Sequence, residues 1–142
     1  MQIPRFLSLW MPVAAWAGLI FTLSSIPHLH TELGIWDLIL RKIAHMIEFG
    51  VLALLIARAL RGARTGMDSP RALLWAAVAS AGYAVFDEFH QSFVPGRGAS
   101  PLDVGIDACG IALSIWIFRC LTAFWSGRKN HSGLAKAREA CD

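Results

Sequence analysis

Charge is scarce in this chain. Only 16% of its 142 residues are Asp, Glu, Lys or Arg, whereas an average soluble domain carries about a quarter. So few charges cannot clothe a folded surface in water. The 56% apolar content also rules out disorder, which needs low hydrophobicity and high net charge. Cysteine is sparse too: of three, Cys109 and Cys120 lie inside apolar runs, with no disulfide framework and no paired metal-type spacing. Internal repeats and low-complexity tracts are missing, and the chain has no room for a second globular domain. A formal charge of +3 would hint at nucleic acid in a soluble protein. In an apolar chain the basic residues mark one side of a bilayer instead, so no nucleic-acid partner is expected.

What is present is apolar length. Residues 6–26, 37–60, 72–94 and 102–125 are each long enough to cross about 30 Å of hydrocarbon at about 1.5 Å per residue. Helices are required, because lipid offers no partner for open backbone groups and four spans cannot close a barrel. The expected class is an all-α membrane protein: a four-transmembrane-helix bundle over residues 1–125, with a basic polar cytoplasmic tail over 126–142. The first span is longer than a signal-peptide apolar region, and Ser24-Ser25-Ile26-Pro27 offers no small-x-small cleavage site, so it reads as retained.

Lys and Arg set the orientation. With both termini cytoplasmic, ten of the thirteen fall on the cytoplasmic side and only Arg41, Lys42 and Arg97 on the other. Seven of the ten acids sort the opposite way, as do His28, His30, His45 and His90. Acids carry little weight in the orientation rule, so their segregation points to a site on the extracytoplasmic side.

That site has a helical pattern. Arg41, His45 and Glu48 share one face of the second span. Tyr83, Asp87 and His90 repeat the spacing in the third, with Gln91 one turn beyond Asp87, and Asp103, Asp107 and Gly110 repeat it in the fourth. Counted from the nearest span ends, Glu48, Asp87 and Asp107 each lie roughly 10 Å deep. Each ionised group costs on the order of 3 kcal/mol at a span centre, so the stripes are expected to face one another or a wet cavity, the acids pairing with Arg41, Lys42, His45, His90 or Arg97. A structural alternative stands beside this. Arg41, Lys42 and Asp103 can snorkel from helix ends, and Ser100-Pro101-Leu102-Asp103 is a good helix start with Ser100 as N-cap. His28 and His30 read as ordinary loop residues.

In the loop Pro95-Gly96-Arg97-Gly98-Ala99-Ser100, the glycines let the backbone turn tightly, and Arg97 suits a phosphate or carboxylate. Its alternative role is a turn in which Arg97 pairs with Asp103 or Asp87. Gly18, Gly50, Gly82, Gly105 and Gly110 are expected to permit close helix approach. Six tryptophans scattered through the spans read as interface anchors and packing.

At these residues the chain resembles the VanZ-like family of small bacterial membrane proteins. The resemblance rests on Ser24-Ser25-Ile26-Pro27, on the run from Lys42 through His45 and Glu48 to Gly50, and on Asp87-Glu88-Phe89-His90-Gln91 through Arg97, Ser100, Asp103, Asp107 and Gly110. Some members carry Asn where Asp107 stands. The resemblance implies the fold and the matched positions, and the founding member is linked to teicoplanin (glycopeptide) resistance. It supplies no reaction.

Two functions follow from these readings. In the first, the protein acts on a membrane lipid or lipid-linked cell-envelope headgroup by acid–base chemistry. His45 or His90 is then the base, and Glu48 or Asp87 orients it or supplies the acid, with Glu88 in the same catalytic group. Arg41, Lys42, Gln91, Arg97, Ser100, Asp103 and Asp107 bind. His45, Glu48, Asp87 and His90 also carry the donor types and helical spacings of a divalent-metal set. In the second, the same pocket binds an envelope lipid, precursor or glycopeptide without turnover. A proton or ion pathway is disfavoured, because residues 51–57, 73–80 and 111–118 hold no ionisable relay. Four short helices also make a homo-oligomer plausible as a way to enclose the cluster.

Overall fold

A computed structural model describes residues 4–27, 34–63 and 69–139, with side chains up to Trp125. Four helices make up the fold: α1 (Arg5–Ser24), α2 (Ile35–Gly62), α3 (Ser69–Gln91) and α4 (Pro101–Glu139). All four are long and apolar enough to cross a membrane, and no strand occurs among the described residues. The chain is therefore a multi-pass membrane protein. His28 and His30 lie outside the described residues.

The helix ends differ from the sequence reading by a few residues, and two of the differences have a clear local reason. The third span was expected to reach residue 94, but α3 stops at Gln91. The amides of Phe93 and Val94 turn back onto the carbonyls of His90 and Gln91 at 3.0 Å each, a tight three-residue winding. Pro95 then cannot continue a helix. Hydropathy runs past this point because Phe93 and Val94 are apolar; the backbone does not. At the other end, α4 continues beyond its apolar window through the polar tail to Glu139, where Leu, Ala, Lys, Arg and Glu are all good helix formers.

α2 is the central helix. It packs on all three others, most extensively on α4, while α1 lies against α2 and α3 and does not reach α4. Lipid supplies no hydrophobic drive between helices, so close packing through small residues holds such bundles together. The α2–α3 seam shows this, with Ala53 and Ala57 buried on α2 and Ala76, Ser80 and Ala84 buried on α3. Phe49, Leu52, Ile20 and Ile111 complete the core. The outward faces carry Leu74, Trp75, Val78, Phe89, Trp116 and Phe124, all exposed, as a lipid-facing surface requires.

Of the five glycines expected at close approaches, two are. A Cβ on Gly110 would lie 2.3 Å from the Met46 carbonyl oxygen, and one on Gly50 would lie 3.1 Å from the Gly110 oxygen. These two glycines set the α2–α4 crossing. Gly18, Gly82 and Gly105 face open space, with nothing within 4 Å of an added Cβ. They do not mediate contact.

α1 is held by polar pegs. The Trp16 indole N–H donates to the Glu48 carbonyl at 2.9 Å, and the Tyr83 hydroxyl donates to the Ala17 carbonyl at 2.8 Å. Ser80 is different: its hydroxyl is fully buried in the α3 seam without a hydrogen-bond partner. A buried unsatisfied group costs about 1–3 kcal/mol. Ser80→Ala is therefore expected to leave stability unchanged or raise it by about 1 kcal/mol, read as an upward shift of the melting temperature in detergent.

Candidate functional site

The C-terminal ends of α1 and α3, the N-terminal ends of α2 and α4, and the loop of residues 92–100 all lie at one end of the bundle. The loop turns at Gly96, whose φ of 80° is a conformation glycine adopts readily. Its Arg97 amide closes on the Val94 carbonyl at 3.1 Å. α4 then starts as its sequence suggests: Pro101 is the first helical residue, and the Ser100 hydroxyl accepts from the Leu102 amide at 3.3 Å. The Ser100 amide donates to Glu88 Oε2 at 2.8 Å, tying this start to α3.

A cavity of about 220 Å³ opens between these elements. Arg41, Lys42 and His45 of α2, Glu88 and Gln91 of α3, Gly96, Arg97 and Gly98 of the loop, and Asp103 and Asp107 of α4 line it, with Leu38 and Ile106 as its apolar wall. Ten of these twelve residues are polar or glycine. The cavity thus gathers most of the residues expected at the site.

Inside it Arg41, Lys42 and His45 meet carboxylates as expected, whereas Arg97 does not. Arg41 bridges back to Asp37, one turn earlier on its own helix, at 2.6 Å. Lys42 is paired with Asp103 across the α2–α4 seam. Arg97 pairs with neither Asp103 nor Asp87; its Nη2 donates to the Leu23 carbonyl at 3.1 Å, and its Nε is buried without a partner. Burial and the nearby Arg41 guanidinium lower the Arg97 pKa from its ordinary value. Asp107 is buried, with both carboxylate oxygens lacking a hydrogen bond among the described residues. His45 is its nearest partner, with Nδ1 3.7 Å from Oδ1, too long for a hydrogen bond.

Four expected site residues do not line it: Ser100 caps α4 as described, and Asp87, His90 and Glu48 lie elsewhere. Asp87 turns away from the cavity toward α1. Its Oδ2 accepts from the Ser24 hydroxyl at 2.7 Å and from Gln91 Nε2 at 2.8 Å. His90 stacks on Phe21 with ring centroids 4.3 Å apart, and its Nε2 sits 3.0 Å from the Ser25 hydroxyl. That hydroxyl donates to the Phe21 carbonyl at 2.6 Å, which leaves the His90 Nε2–H as donor to it. Glu48 is half-buried beside His45 and Asp87 but does not line the cavity. The four-residue metal set of His45, Glu48, Asp87 and His90 is accordingly not assembled: among the described residues no three His, Cys, Asp or Glu side chains converge as metal ligands.

The same geometry explains a motif whose partner the sequence could not name. Ser24 and Ser25 dock onto Asp87 and His90, so the Ser24-Ser25 motif and the end of α3 form one latch. Gln91 belongs to both the latch and the cavity wall. Asp37, buried in the first turn of α2, is the other residue the polar stripes overlooked. Ser24→Ala is expected to cost about 1–2 kcal/mol, because it leaves buried Asp87 with Gln91 as its remaining donor. A lowered melting temperature with unchanged lipid profile would check it.

Comparison with known proteins gives the family. Neither the curated proteins nor the solved structures include a significant match to the chain. The family model described as VanZ/LLP1 matches residues 3–123. That stretch takes in every group around the cavity and the latch, and the chain belongs to the VanZ/LLP1 family.

Proposed function

We propose that the cavity is an acid–base site for the headgroup of a membrane lipid or lipid-linked envelope precursor, opening to the extracytoplasmic leaflet of a bacterial inner membrane. The observation that carries this reading is buried Asp107, with both oxygens unsatisfied, beside His45 in a cavity rimmed by Arg41, Lys42 and Arg97. A buried carboxylate without a hydrogen bond is costly, and such groups cluster where chemistry or binding uses them. The cavity's place at the ends of the helices supports a headgroup as the ligand, since that is the depth at which headgroups lie. The positive-inside count supports the extracytoplasmic side.

In this reading His45 is the general base. It takes a proton from water or from a headgroup hydroxyl, and Asp107 Oδ1 stabilises the imidazolium that forms. Arg41 and Arg97 hold an anionic group at the rim, while Lys42 and Asp103 hold each other and fix the wall. His90 and Asp87 position α1 through the latch and do not touch the ligand.

Comparative mass spectrometry of membrane lipids tests it, using cells that express the wild type, His45→Gln, or an empty vector. A lipid species gained or lost with the wild type alone supports turnover, and its mass shift identifies the reaction. Identical profiles overturn turnover and move the cavity to the binding reading. Glycopeptide tolerance of the same strains then shows whether that binding alters access to an envelope target.

A further inference from the structure

The cavity is polarised along its depth. Arg41 and Arg97 both line it, and the Arg41 guanidinium raises the cost of charge on Arg97. Arg41 has one hydrogen-bonded carboxylate in Asp37, and Arg97 has only a backbone carbonyl. Two guanidiniums facing one cavity are stabilised by an anion placed between them. About one helical turn deeper the sign reverses. His45 lies four residues below Arg41, roughly 6 Å along the axis, and beside it Asp107 presents a buried carboxylate. Oδ1 faces His45 at 3.7 Å, while Oδ2 is buried with no hydrogen bond among the described residues. A ligand that satisfies both levels carries an anion at one end and a strong hydrogen-bond donor, best a cation, at the other.

Size narrows it further. A space of 220 Å³ corresponds to roughly seven waters at about 30 Å³ each, which suits a headgroup of about eight heavy atoms and not a glycan or peptide precursor.

We propose that the cavity selects a small zwitterionic aminoalkyl phosphate headgroup, its phosphate between Arg41 and Arg97 and its primary ammonium on Asp107 Oδ2. This rests on the lipid-headgroup reading above and specifies it. An ammonium with three N–H donors fits a bare carboxylate oxygen. A quaternary ammonium has none to give, and a glycerol hydroxyl brings one donor and no positive charge.

The test is binding of short-chain lipids to the purified full-length protein in detergent, followed by native mass spectrometry. Dihexanoyl phosphatidylethanolamine, phosphatidylglycerol and phosphatidylcholine serve as the probes. With the wild type, the ethanolamine lipid is expected to bind about tenfold more tightly than the glycerol lipid, because only the ammonium adds an opposite charge to the buried carboxylate. The choline lipid should bind more weakly than the ethanolamine lipid. Asp107→Asn should remove the ethanolamine preference while leaving glycerol-lipid binding in place, and Arg97→Ala should weaken both by about tenfold or more. Equal binding of the ethanolamine and glycerol lipids by the wild type, with Arg97→Ala still weakening both, overturns the zwitterion and keeps the headgroup site. No Arg97-dependent binding of any of the three overturns the headgroup reading itself. The comparison of probes on the wild type decides the matter even if Asp107→Asn does not fold.

Discussion

Gly110→Ala is expected to be the most damaging single-methyl change in the protein. The added Cβ would lie 2.3 Å from the Met46 carbonyl oxygen and 2.7 Å from its Cα. Both are helix backbone, so no side-chain rotation relieves the overlap, and α2 and α4 must move apart. Overpacking of this kind costs about 3 kcal/mol at the upper end of its range. The damage does not stay local. Asp107 stands one turn before Gly110 on the same helix, and the Lys42–Asp103 pair and the His45–Asp107 approach both span the α2–α4 seam that would open. Loss of the folded peak in size-exclusion chromatography, or a strongly lowered melting temperature, is the expected readout. Gly82→Ala supplies the control. It meets nothing within 4 Å, and alanine is the better helix former by about 1 kcal/mol, so it should be neutral or stabilising. Equal behaviour of the two variants would show that the α2–α4 crossing is not set by Gly110.

The second large effect is on function, and it separates two acids that look alike in the sequence. In the acid–base reading proposed above, His45→Gln removes the base while keeping a polar side chain of similar reach. It is expected to lower turnover of the envelope lipid by about 100-fold or more, the usual contribution of a positioned general base. Asp107→Asn should follow it, since the imidazolium on His45 would lose the carboxylate beside it. Glu48→Gln is the informative comparison. Glu48 shares the helical stripe of His45 but does not line the cavity, so its loss should leave most turnover intact. The measurement is the rate of lipid conversion in membranes containing equal amounts of each folded protein. A Glu48→Gln variant as inactive as His45→Gln would return the acid–base role to the α2 stripe and take it from the α2–α4 pair.

That contrast shows where the sequence stops being informative. His45 and Glu48 occupy one helical face by spacing alone, and Asp87 follows the same spacing one helix away. The structure splits them: His45 faces Asp107, whereas Asp87 turns to Ser24. Helical periodicity assigns each residue to a face of its own helix. It does not state how far that helix is rotated, or which neighbour it meets.

The four spans, the all-helical class and the gathering of polar groups at one end were legible in the sequence, because they follow from local physics. Backbone groups in hydrocarbon must be satisfied within a helix, and charges crowd where burying them is least costly. Ser100 and Pro101 likewise start α4 through contacts a few residues apart. Tertiary structure alone decided the partners: Lys42 with Asp103, Arg97 with Leu23, and the Ser24-Ser25 motif with Asp87 and His90. It also decided which glycines matter, since only Gly50 and Gly110 of the five sit where two helix backbones touch. The physical reason is common to both. Rotation and crossing of helices are set by packing over the whole bundle, so no single helix carries that information in its own periodicity.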